Sequence, residues 1–84
     1  MSYDLQIKPS AVKELKNLQQ ADPRRVVDRI QALAEDPRPR AREKLTGGSR
    51  YRVRQERTRV LYEVDDDGEI VTVVKIGHRR DVYR

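Results

Sequence analysis

Between Arg50 and Ile76 the apolar residues stop recurring at helical intervals and begin to alternate. In RYRVR, Tyr51 and Val53 fall on one side of an extended chain and Arg50, Arg52 and Arg54 on the other. TRVLYEV repeats the pattern. IVTVVKI is apolar on both sides, as a strand inside a sheet is. Glu56-Arg57 and DDDGE, with Asp67-Gly68 at its tip, are the turn signals between these segments. A period-two sequence broken by two tight turns predicts a three-stranded antiparallel meander, because such a pattern cannot present one apolar face as a helix.

The turns also set a register. A two-residue loop at Glu56-Arg57 puts Arg54 opposite Arg59, Val53 opposite Val60 and Tyr51 opposite Tyr62. A two-residue loop at Asp67-Gly68 puts Arg59 opposite Ile76, with His78 continuing on the Arg59 side. Tyr51 and Tyr62, with Tyr3, then read as core. Arg52, Arg54 and Arg59 share the other face and are expected to meet solvent. A slip of one residue would reverse a strand's two faces.

The first half supplies what covers the apolar face. YDLQIK at residues 3–8 alternates as a strand. Ser10 is the predicted N-cap of a helix carrying Ala11, Leu15 and Leu18. Asp22 caps a second helix, Pro23 takes its first position, and Val26, Ile30 and Leu33 form its stripe until Pro37 closes it. Residues 37–49 read as a polar basic loop. The predicted fold is α+β: an N-terminal strand, a helical hairpin, then a three-stranded antiparallel meander, with the helices packed on one face of the sheet. Residues 1–84 are expected to form a single domain, since the length leaves no room for two cores.

Composition narrows the chemistry. There is no Cys and one His, which excludes disulfides and thiolate sites and leaves too few ligands for zinc, so neither metal nor cofactor is expected. No apolar run reaches bilayer length and MSYDLQIKPS has no signal-peptide core, so no membrane partner and a cytoplasmic location are expected. Nineteen Lys and Arg, most of them Arg, stand against fourteen Asp and Glu, for a net charge of +5. Arg forks onto phosphate, so the first partner class is a polyanion: nucleic acid, the ribosome or an acidic protein. Guanidinium groups on neighbouring strands repel unless an anion lies between them. Arg52, Arg54, Arg59 and Arg79, beside His78 and Tyr83, therefore predict a phosphate-binding concavity. The bland alternative is that these arginines fan into solvent or pair with Glu56, Glu63 and the run Asp65–Asp67. Arg24, Arg25 and Arg29 read as a solvated face of the second helix.

KLTGG followed by YRVR, then TRVLYEVDDDGEIVTVVKIGHRRDVYR, resembles the RelE branch of the RelE/ParE toxin superfamily, the toxin halves of toxin–antitoxin pairs. The resemblance runs over essentially the whole chain and implies the RelE-like version of the fold just described. It implies an endoribonuclease that cuts mRNA, often in the ribosomal A site, and so inhibits translation. It also implies a cognate antitoxin as partner, beside mRNA and ribosomal RNA. By resemblance Arg59, Arg79, Tyr83 and His78 are the catalytic set, and Arg52, Arg54 and Lys44 bind RNA phosphate. The sequence departs from many relatives at Glu56, Arg57 and Thr58, where they carry Gly and an aromatic before the Arg. The rival readings are a ParE-like poison of DNA gyrase and a non-catalytic relative that binds RNA or antitoxin.

Cleavage without a metal requires removal of the ribose 2′-OH proton, stabilisation of the phosphorane and protonation of the departing 5′-oxygen. The arginines suit the middle requirement, since they do not lose protons. Tyr83 and His78 are expected to divide the acid–base or base-stacking work. Glu43 is a third candidate base, read more simply as a solvated loop carboxylate.

Overall fold

In a computed structural model the described residues are 2–18, 22–45 and 48–78, excluding the side chain of His78. The elements are β1 (Asp4–Ile7), α1 (Pro9–Lys16), α2 (Pro23–Glu35), β2 (Glu43–Lys44), β3 (Arg50–Gln55), β4 (Thr58–Asp65) and β5 (Ile70–His78). They build one mixed sheet in the order β1-β5-β4-β3-β2. β1 runs parallel to β5; the other pairs are antiparallel. The α+β class and the meander are as predicted. The addition is β2, which lies inside the segment read as a loop.

The caps follow sequence at one helix and not at the other. Asp22 accepts from the Arg24 amide at 2.9 Å and Pro23 opens α2, an arrangement worth about 1 kcal/mol. At α1 the expected Ser10 cap is wrong. Pro9 already has the backbone angle of a first helical residue and lacks the amide that a cap would satisfy. The helix therefore starts there, with Lys8 before it and no side-chain cap.

α1 packs on β5, and α2 on β1, β3 and β5. Val26, Ile30 and Leu33 from α2 meet Tyr51, Val53, Val60 and Tyr62 from the meander, all of them buried. Full burial of such side chains contributes about 1.5–3 kcal/mol each. The Tyr51 and Tyr62 rings stack at 5.7 Å between centroids, and the Tyr62 hydroxyl donates to the Pro37 carbonyl at 2.7 Å. β5 lies inside the sheet, between β1 and β4, as its two apolar faces predict.

The first hairpin has the predicted register: Tyr51 with Tyr62, Val53 with Val60, Arg54 with Arg59. Glu56 holds the tight turn at φ 57°, a backbone region that disfavours residues with a Cβ. Its carboxylate pairs with Arg25 of α2 at 2.7 Å. The second hairpin departs from expectation in two ways. Its loop is four residues long, since Asp65 pairs with Ile70. A bulge between Leu61 and Tyr62 then shifts the register, so Arg59 lies opposite Gly77 rather than Ile76, and His78 pairs with Thr58. The bulge inserts one residue into β5 and exchanges its faces from there on. His78 therefore occupies the Thr58 register position, one step off that of Arg59.

Past the bulge β5 leaves β1 behind. The Lys8 amide still donates to the Val73 carbonyl at 3.0 Å, but among the described residues no strand pairs with Ile76 on that side. Glu14 of α1 accepts the Ile76 amide at 3.2 Å instead, and its other oxygen lies 3.9 Å from Lys75 Nζ. A helix side chain thus holds the strand segment that leads to His78. Among the described residues no helix is long and apolar enough to cross a membrane.

Candidate anion site on the sheet face turned from the helices

β2 is what assembles the site. Glu43 pairs with Arg52 and Lys44 with Tyr51 across the β2–β3 ladder. Alternation then sends Glu43 to the arginine side of the sheet. The Glu43 carboxylate accepts from Arg52 Nη2 through one oxygen and from Arg54 Nη2 at 3.1 Å through the other. Arg59, opposite Arg54 on β4, adds its field and helps hold the carboxyl below the usual carboxylate range, after the Arg52 hydrogen bond and with Arg54. Three guanidiniums from two adjacent strands are thus disposed around one carboxylate.

This corrects two expectations. Glu43 is exposed, but it lies on a strand rather than in a loop, and its carboxylate is the anion among the arginines. Arg59 does not face solvent: it is 4% exposed, and Arg52 8%. Arg59 sits on the middle strand of five, flanked by Arg54 on β3 and by Gly77 on β5. Arg54, nearer the sheet edge, is exposed as predicted. The carboxylates of the bland alternative serve other arginines: Glu63 pairs with Arg50 at 2.6 Å, Glu56 with Arg25, and Asp66 with Arg38. Lys44 is exposed at the Tyr51 register position, away from Glu43 and Arg52. Arg79 and Tyr83, and the side chain of His78, lie outside the described residues.

A second cluster fixes the segment that carries Glu43. Arg38 forks onto Asp66 at 3.0 and 2.7 Å, and Tyr3 donates to the same carboxylate at 2.7 Å. Arg38 Nε donates to the Tyr51 hydroxyl at 3.1 Å, with its guanidinium carbon 5.5 Å from the ring centroid. This clamp ties the segment after α2 to the β4–β5 loop, five residues before β2 begins. The Arg38 bonds, followed by the Tyr3 bond, pull the Asp66 carboxyl down to about 2.

The sign of the linkage follows. A depressed acid contributes stability above its unfolded pKa and loses it as pH falls through the folded value. Wild type should melt above Asp66→Asn at neutral pH, and the gap should close as pH falls to about 2. The gap should be small, because the pair is exposed and screened. Thermal melts of both proteins across that range check it; a gap that persists below the folded value would refute the clamp.

The comparisons with known proteins agree with the fold. The family model described as the ParE toxin of the type II toxin–antitoxin system parDE matches residues 5–83. A protein of Methanocaldococcus jannaschii assigned as toxin RelE1 is 30% identical over 88 residues, covering 100% of this chain and 98% of the relative. RelE in the archaeal RelE–RelB complex from Pyrococcus horikoshii OT3 is 29% identical, with a TM-score of 0.78 over 94% of this chain and 97% of that one. A free mutant of the E. coli toxin RelE superposes with a TM-score of 0.82 at 24% identity, over 99% of this chain and 92% of that one, a likeness of fold alone.

Proposed function

We propose, from the premise that this chain belongs to the RelE/ParE family of toxins of type II toxin–antitoxin systems, that it acts as a metal-independent endoribonuclease on mRNA, in the ribosomal A site. The observation that carries the reading is the disposition of Arg52, Arg54 and Arg59 around a single carboxylate. A site that holds one oxyanion between forked donors has the chemistry to hold another.

In the proposed reaction the ribose 2′-oxygen gives up its proton and bonds to phosphorus. The bond from phosphorus to the 5′-oxygen breaks, and that oxygen takes a proton. The arginines carry the added negative charge of the phosphorane; loss of one preorganised donor of this kind costs roughly 10²–10³ in rate. Of the expected proton carriers, His78 falls at the Thr58 register position, on the face opposite Arg59, so the transfers are assigned to Tyr83, with Glu43 as the other candidate. Arg52 and Arg54 cannot serve as base.

The family also has a gyrase-poisoning branch, and the matching family model bears the ParE name. Inducing the chain in cells separates the two. New RNA 5′ ends and arrested translation with unchanged DNA supercoiling are expected. Altered supercoiling without new RNA ends would select the gyrase reading. The partner under this proposal is an antitoxin whose acidic or amphipathic segment covers the helical hairpin and approaches the arginines. Support comes from the RelE–RelB complexes among the similar structures and from the net charge of +5.

A further inference from the structure

We propose that Glu43 is a built-in competitor for phosphate: the substrate group must displace its carboxylate to reach Arg52 and Arg54. The inference rests on reading this cluster as the phosphate site. The two oxygens of Glu43 are committed one to each guanidinium. They take donor positions that two non-bridging oxygens of a phosphodiester would need.

Burial shows which member can yield. The Arg52 side chain is only 10% exposed, whereas that of Glu43 is 45% exposed. The arginine is fixed within the sheet, and the carboxylate lies on its open side. The carrier is also weakly held. β2 has two residues, both exposed, and sits at the sheet edge. Beyond its ladder with β3, the Leu45 amide donates to the Arg50 carbonyl at 3.0 Å. A short edge strand of this kind opens at low cost compared with a central one.

The consequence is selectivity. With Glu43 in place the cluster already holds an anion, so a free small phosphate gains little by entering. A polynucleotide brings contacts elsewhere along its chain and can displace the carboxylate. The device therefore favours RNA over the small phosphates around it.

Inorganic phosphate titrations followed on the Arg52 and Arg54 side-chain N–H resonances test this. Glu43→Gln should bind phosphate about tenfold tighter than wild type, the scale of one lost charge-assisted competitor. Glu43→Ala should do the same, and circular dichroism confirms that each variant is folded. Glu63→Gln is the control. It removes the same charge from the same sheet face, where Glu63 pairs with Arg50, and should bind as wild type does. Equal gains in Glu43→Gln and Glu63→Gln would assign the effect to net charge and overturn the inference. So would no gain in either Glu43 variant, while the phosphate reading stands if Arg54→Ala weakens binding. Resonances that move in none of the proteins would overturn both.

Discussion

Replacing Arg59 with alanine is expected to abolish toxicity and to cost about 2–3 kcal/mol of stability, the range for removing a buried charged partner. Arg59 is 4% exposed on the middle strand of the sheet. Truncation leaves a void there and removes one of three cations around Glu43. Loss of toxicity in that variant alone therefore does not separate chemistry from folding. Arg59→Lys keeps a cation while losing the planar fork, and should be more stable than the alanine variant yet strongly impaired in cleavage. Arg54→Ala supplies the complementary case. Its side chain is 53% exposed, so stability should change by no more than about 0.5 kcal/mol. Cleavage should fall by less than the roughly 10²–10³-fold of a single preorganised donor, since Arg52 remains on the same strand. Urea denaturation beside RNA cleavage reads both axes. An Arg59→Ala protein as stable as wild type would contradict the burial. Full cleavage by both Arg59→Lys and Arg54→Ala would remove the phosphate site.

The meander was legible because its signals are local. Alternation in RYRVR and TRVLYEV, with one two-residue turn, was enough to pair Arg54 with Arg59 and Tyr51 with Tyr62. The α2 cap and stripe were legible for the same reason. The bulge was not. It depends on how β5 fits between β1 and β4, and IVTVVKI, apolar on both faces, carries no alternation that would show a one-residue insertion. β2 does carry a local signal. Gly47-Gly48 lies midway in sequence between Glu43 and Arg52, and Gly-Gly between two extended segments is a hairpin signal. Read that way, Glu43 falls opposite Arg52, and the anion that neighbouring guanidiniums require comes from the chain itself. The burial of Arg59 had no such signal, because alternation gives a residue's side of the sheet and not what lies over it.

Tyr62→Ala is expected to leave little folded protein. Tyr62 is fully buried, stacks on Tyr51 and is the largest of the fully buried side chains. Removing a buried aromatic ring costs about 3–5 kcal/mol. At about 0.05–0.15 kcal/mol per residue, that is a large share of what a chain of 84 residues has. Tyr62→Phe divides the effect. It keeps the ring and removes the hydroxyl that donates to the Pro37 carbonyl. Burial pushes this phenol up to about 12, so at neutral pH it is a neutral donor and the bond is present. Its loss should cost about 0.5–1.5 kcal/mol, the net value of a typical internal hydrogen bond. The second effect is on the site. Pro37 begins the segment that runs through the Arg38 clamp to Glu43. Freed at its first anchor, that segment should exchange its amides faster from Arg38 to Leu45 while β3 and β4 stay protected. Urea midpoints and amide exchange on the two variants test the division. A Phe variant as unstable as the Ala variant would shift the weight from the ring to the hydroxyl. One with unchanged exchange over residues 38–45 would mean that the Tyr62 bond does not position Glu43.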